Sequence, residues 1–158
     1  MAIRFYPRAG QIFICDFSKF QAPEMTKKRP VMVISPRLKH RSEIVTIVPL
    51  STTAPRETVA YAVLLSKDYS PLSVSPKQVW AKCDMLLSVS RQRLTSYKIG
   101  RRKYHTPEAT GDDLKRVREG VKAASWVFLD KRVRKAYFKT VSRCRAIRPS
   151  LLGRLFTE

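Results

Sequence analysis

Glu24-Met25-Thr26-Lys27-Lys28-Arg29-Pro30-Val31-Met32-Val33-Ile34-Ser35 joins a polar loop to a short apolar run. A nearly all-apolar stretch such as Val31 to Ser35, bounded by polar residues, predicts a buried strand. Downstream, Glu43 to Leu50 holds the β-branched run Ile44, Val45, Thr46, Ile47 and Val48, which suits a second strand. Upstream, Gln11 to Phe17 reads as a strand after the turn residue Gly10. Gln11, Phe13, Cys15 and Phe17 share one face, and Ile12, Ile14 and Asp16 share the other. The polar segment Ser18 to Lys28 contains Pro23 and is long for a hairpin connection, as functional loops often are. Thr58 to Leu65, Gln78 to Cys83 and Met85 to Val89 predict further strands, and Tyr97 to Lys103 a basic edge. The period then changes. Leu114, Val117, Val121, Ala124 and Phe128 recur at helical spacing, Asp112 and Asp113 suit a helix start, and Thr110 with Asp113 fits a capping box. The expected fold is mainly β with C-terminal helices, a small barrel or sheet capped by helices.

Charge sets the class of partner. Lys and Arg number 32 against 12 Asp and Glu, a net charge of +20 spread along all 158 residues. Such a surface attracts nucleic acid by displacing condensed counterions. No apolar run has the length of a membrane span, and Met1 to Pro7 lacks the apolar core of a signal peptide, so a cytoplasmic protein without membrane contact is expected. Cys15, Cys83 and Cys144 are odd in number and lack metal-site spacing, which predicts reduced, buried thiols. The chain shows no zinc pattern, no P-loop and no dinucleotide loop, and no metal or cofactor is expected.

Polar side chains cluster where apolar runs begin or end. Glu24 and Arg29 precede one run, Ser51, Thr52 and Thr53 follow Val48-Pro49-Leu50, and Lys82 and Asp84 lie in Trp80-Ala81-Lys82-Cys83-Asp84-Met85. They supply an acid, a cation and a hydroxyl. In this order, with Gly10-Gln11-Ile12 before them and Arg91-Gln92-Arg93-Leu94 after, these blocks resemble the MazF/PemK (Kid) family of toxin endoribonucleases, over roughly residues 9–124. The resemblance implies an SH3-like barrel, a homodimer, metal-independent cleavage of single-stranded RNA, and an antitoxin that occupies the RNA groove. It divides the chain into a barrel with a helix at 1–130 and a basic extension at 131–158.

RNA carries its own nucleophile, the 2′-hydroxyl. Cleavage then needs a base, a cation for the phosphorane charge and an acid for the leaving 5′-oxygen. Arg29 is the candidate phosphate binder because a guanidinium donates a planar fork of hydrogen bonds. Ser51 lies where the family places a strand-end hydroxyl, usually Thr, and Pro49 suggests that the ladder ends there and exposes it. Lys82 and Asp84 match a cation-x-acid spacing, with Lys where Kid relatives carry Arg. Strand geometry would put both on one face, with Asp84 as base and Lys82 stabilising charge or donating a proton. Glu24 is the alternative base. Its relatives have a Gly-rich segment where this chain has Met25-Thr26-Lys27-Lys28, so Lys27 and Lys28 add RNA-binding charge. Thr52, Thr53, Arg37 and Tyr69 complete the expected RNA contacts, Tyr69 by stacking on a base. His40 and His105 match no catalytic position and read as surface residues. Two rival readings keep the barrel: a basic RNA-binding module that cleaves nothing, and a toxin acting on a protein such as a topoisomerase. An acidic, partly disordered antitoxin segment would complement the cationic groove. From Lys131 to Arg154 nine cations occur without an acid, predicting a basic helical tail that contacts phosphates.

Overall fold

The computed structural model describes residues 2–127 apart from 23, 38, 39 and 42. The basic tail, Cys144 and Phe128 lie outside the described residues. Nine strands precede one helix among those residues: β1 (Ile12–Cys15), β2 (Arg29–Val33), β3 (Ile44–Ser51), β4 (Ala62–Leu64), β5 (Trp80–Lys82), β6 (Leu87–Ser90), β7 (Leu94–Thr95), β8 (Tyr97–Gly100), β9 (Lys103–His105) and α1 (Gly111–Val127). The mainly β class with a C-terminal helix is as the sequence predicts.

Seven strands form one sheet in the order β4-β5-β3-β2-β1-β7, with β6 also paired to β3. β3 is the long central strand. Its first half pairs with β6, from Ile44 opposite Ser90 to Ile47 opposite Leu87, and its end pairs with β5 through Leu50 opposite Ala81 and Ser51 opposite Trp80. A 3-10 turn, Cys83–Met85, makes the corner between β5 and β6. Both faces of the sheet are covered, which is why β2 and β3 read as near-continuous apolar runs. Phe13, Val31, Val33, Val45 and Ile47 pack on one side with Phe17, Val89 and Leu94. Ile12, Met32, Val48, Leu50 and Ala81 pack on the other with Val117 of α1.

Several strands are shorter than the pattern predicts. The expected strand from Thr58 is reduced to Ala62–Leu64 because a turn, with the Ala62 amide donating to the Val59 carbonyl at 3.2 Å, delays its start. β5 stops at Lys82 because Cys83 turns into the 3-10 corner, where its thiol is buried. The basic edge is a separate hairpin, β8–β9, with Arg102 at φ 61° in its turn. The β3 ladder, conversely, continues past Pro49 to Ser51. The capping box is half made: the Asp113 amide donates to Thr110 Oγ1 at 3.2 Å, but the Asp113 carboxylate turns elsewhere.

Cys15 and Cys83 are free and buried, as expected, and burial pushes both thiols up to about 12, so they remain protonated. At Gly120 the helix packs tightly on Val63 of β4 and on Cys83. A Cβ there would stand 2.7 Å from Val63 Cγ2 and 2.8 Å from Cys83 Sγ. Gly120→Ala should therefore lower stability by about 1–3 kcal/mol through overpacking, more than the ~1 kcal/mol that Ala contributes within a helix. Thermal melting checks this; an unchanged or raised Tm would show that Val63 and Cys83 move aside.

Candidate nucleic-acid cleavage site

The Ser18-to-Lys28 loop and the adjacent ends of β2 and β3 form a cleft of about 260 Å³. The β2–β3 register pairs Val31 with Pro49, so continuing it by two residues carries Arg29 toward Ser51. Both line the cleft, with Glu24 and Lys27 from the loop. Glu24 is held by its own turn: its amide donates to the Gln21 carbonyl at 2.9 Å, and its Oε2 accepts from the Gln21 amide at 3.3 Å. Ser51 Oγ accepts from the Thr53 amide at 3.1 Å, a hydroxyl turn that leaves its O–H able to donate. Arg29, an exposed residue, makes no side-chain hydrogen bond or ion pair among the described residues. An acid, two cations and a hydroxyl thus converge on one concave surface.

Lys82 and Asp84 do not join them. They line a second cleft, of about 250 Å³, with Arg56, Glu57 and Tyr61. Their relation also differs from the strand spacing expected. Lys82 ends β5 and Asp84 sits in the 3-10 corner, yet both side chains reach the same cleft. β5 links the two sites: Trp80 lies opposite Ser51, and Lys82 follows two residues on, about 7 Å along the strand.

The other expected RNA contacts are dispersed. Lys28 turns to Asp16 at 3.6 Å, an exposed pair of small energetic weight. The Asp16 carboxyl is held below its usual range, chiefly by the Ser18 amide and less by Lys28. Arg37 lies beyond the opposite end of β2 from Arg29, with its guanidinium 5.7 Å from the Tyr6 ring centre. Thr52 and Thr53 are exposed, as are His40 and His105. Tyr69, expected to stack on a base, is largely buried and lines a cavity beside the cleft. It is 8% exposed, Lys67 sits over its ring at 5.2 Å, and its hydroxyl donates to Asp113 Oδ2 at 2.8 Å.

Sequence reading missed the group that fixes Tyr69. Asp113 is 1% exposed and accepts from the Ser66 amide at 3.0 Å and the Ser66 hydroxyl at 2.7 Å, besides Tyr69. Burial pushes its carboxyl up, but the Ser66 bonds, Tyr69 and Arg116 outweigh that and hold it below the ordinary value. The pair Asp112-Asp113 was legible as a helix start; its partners, more than forty residues earlier, were not. Also unforeseen is a third cavity of about 330 Å³ beside the Arg29 cleft, lined by Leu50, Thr52, Asp68, Tyr69 and Tyr97 among others. Burial first, and the Asp68 carboxylate second, push the Tyr97 hydroxyl up to about 12, so it stays protonated. Among the described residues no group of three or more His, Cys, Asp and Glu side chains is arranged to hold a metal ion, and no helix is long and apolar enough to cross a membrane.

A family model for PemK-like, MazF-like toxins of type II toxin–antitoxin systems matches residues 8–134. The uncharacterized protein YifN of Escherichia coli (strain K12) is 32% identical over 114 residues, covering 60% of this chain and 75% of YifN. Among solved structures, MazF from Deinococcus radiodurans superposes with a TM-score of 0.53 at 24% identity, over 74% of this chain and 94% of that one. An endoribonuclease from a mycobacterial species, solved in complex with its cognate antitoxin, superposes with a TM-score of 0.51 at 19% identity, over 78% of this chain and 99% of that one. At these identities the two solved structures are alike in fold.

Proposed function

The chain belongs to the PemK-like, MazF-like toxin family of type II toxin–antitoxin systems, and from that premise we propose that it is an endoribonuclease that cuts single-stranded RNA through the RNA's own 2′-hydroxyl. The observation that carries this reading is the convergence of Glu24, Arg29 and Ser51 on one cleft. Glu24 takes the proton of the 2′-hydroxyl as O2′ attacks phosphorus. Arg29 neutralises the charge that builds on the equatorial oxygens, and the Ser51 hydroxyl donates to one of them. The bond from phosphorus to O5′ breaks, and Lys27, the second cation of the cleft, returns a proton to O5′. The products are a 2′,3′-cyclic phosphate and a 5′-hydroxyl. No step calls on a metal.

Glu24 is favoured over Asp84 as the base because it shares a cleft with Arg29 and Ser51, whereas Asp84 lines the neighbouring one with Lys82. Lys82, Arg56 and Lys28 then contact phosphates away from the cut, which positions the strand without reading bases. The D. radiodurans MazE–MazF complex, of TM-score 0.52 and 22% identity, shows a toxin of this fold with its partner. For this chain, with its charge of +20, we infer an acidic antitoxin that competes with RNA for the cationic clefts, a homodimer, and action on messenger RNA in the cytoplasm. The test is to incubate the full chain with long single-stranded RNA in EDTA and map the new 5′ ends. Discrete cuts bearing 5′-hydroxyls are expected. Bound but uncut RNA would instead support a non-catalytic binding module.

A further inference from the structure

We infer that the cavity beside the cleft receives one nucleobase of the bound RNA strand, so that Tyr97 and the loop carrying Asp68 set the base preference at one position next to the cut. This rests on the ribonuclease reading above and deepens it.

Continuity comes first. Leu50 lines both the cleft and the cavity, and Pro30 and Thr52, the chain neighbours of Arg29 and Ser51, line the cavity. A phosphate held by Arg29 and Ser51 therefore has its own nucleoside at the cavity mouth. Shape and chemistry come second. The cavity, about 330 Å³, has mainly apolar walls such as Ile12, Leu50 and Val79, with a few polar groups at one side. That suits a flat ring with apolar faces and a hydrogen-bonding edge. Lys77 at the same cavity adds a cation for the strand's phosphates.

The polar groups are the third and most specific observation. Tyr97 is 4% exposed and lines the cavity, yet its hydroxyl makes no hydrogen bond among the described residues. The hydroxyl opens on the cavity rather than being sealed from solvent, so it is free to pair with a ligand edge. Beside it, Asp68 accepts from the Ser70 amide at 2.9 Å and the Ser73 hydroxyl at 2.5 Å, which orients the carboxylate while leaving lone pairs for a base N–H. The protonated phenol and the carboxylate together offer the donor and acceptor that one base edge requires. Asp113 is a positioning residue for this arrangement, because it holds Ser66 and Tyr69 at the start of the same loop.

The test has two readouts. The full ¹⁵N-labelled chain is titrated with each of the four nucleoside 3′-monophosphates, with ribose 5-phosphate as the baseless control. At least one nucleotide should shift Tyr97 and the amides of residues 68–73 saturably, while ribose 5-phosphate should shift only the Arg29 cleft. Tyr97→Phe should weaken that nucleotide by about 2- to 10-fold, and in end mapping should relax the base preference at one position by a similar factor. Leu72→Trp, at a cavity-lining residue 59% exposed and so outside the core, should weaken nucleotide binding by filling the mouth. If no nucleotide perturbs residues 68–73 or Tyr97, the inference is overturned, including the case in which an apolar antitoxin side chain fills the cavity instead. A Tyr97→Phe chain that cuts with unchanged preference at every position overturns it as well. Nucleotide binding in the cavity by a chain that never cuts RNA supports the pocket and sinks the nuclease reading alone.

Discussion

Arg29→Ala should lower RNA cleavage by about a hundred- to a thousandfold, the usual loss when a donor to the transition-state oxyanion is removed. Arg29 opens β2, and its backbone stands opposite Cys15 of β1, so its structural contribution is made by the main chain. Its side chain is exposed and points into no core cluster. The variant should therefore melt close to the parent chain while its single-turnover rate collapses. Arg29→Lys should fall between, because an ammonium keeps the charge but loses the planar fork that engages two phosphate oxygens. A folded Arg29→Ala chain with near-normal turnover would remove Arg29 from the chemistry.

Asp113→Ala should be clearly destabilising, by about 1–3 kcal/mol, because the Ser66 and Tyr69 donors lose a buried, charged acceptor. The Ser66 amide and hydroxyl lose this acceptor, the Tyr69 hydroxyl keeps its bonds to Thr110, and the loop from Ser66 loses its carboxylate tie to α1. The effect should depend on pH. The Asp113 carboxyl is held below its ordinary value of 3.8 in the folded chain. Its contribution is therefore fully present above that value and is lost as pH falls through the lower, folded-state value. The Tm difference between parent and variant should be constant near neutrality and shrink below pH 3.8. A difference that stays the same into strong acid would show that the carboxylate charge is not what holds the loop.

Local pattern carried the central strands and the helix. β1, β2 and β3 owe their form to alternation and β-branching within eight residues or fewer, and α1 to a repeat along one segment. The cleft was legible for the same reason. Arg29 and Ser51 flank apolar runs whose antiparallel pairing brings them together, and Glu24 is anchored by a turn three residues long in reach. What local pattern lacked was distance. Lys82 and Asp84 looked like one strand face because nothing nearby in sequence marks the corner. That corner exists because the Cys83 thiol packs against α1, with a contact to the Val117 carbonyl at 3.5 Å. Tyr69 looked exposed because its loop is polar and rich in Pro and Ser. Its partner Asp113 lies 44 residues on, and no periodicity links the two.

The central claim is that the RNA's own 2′-hydroxyl is the nucleophile. The most direct measurement is cleavage, in EDTA, of an RNA that contains one mapped cut site, compared with the same RNA carrying a single 2′-deoxy sugar on the 5′ side of that cut. The unmodified strand should yield a 2′,3′-cyclic phosphate and a 5′-hydroxyl, and the deoxy strand should bind but remain intact. Efficient cutting of the deoxy strand at the same position would contradict the account.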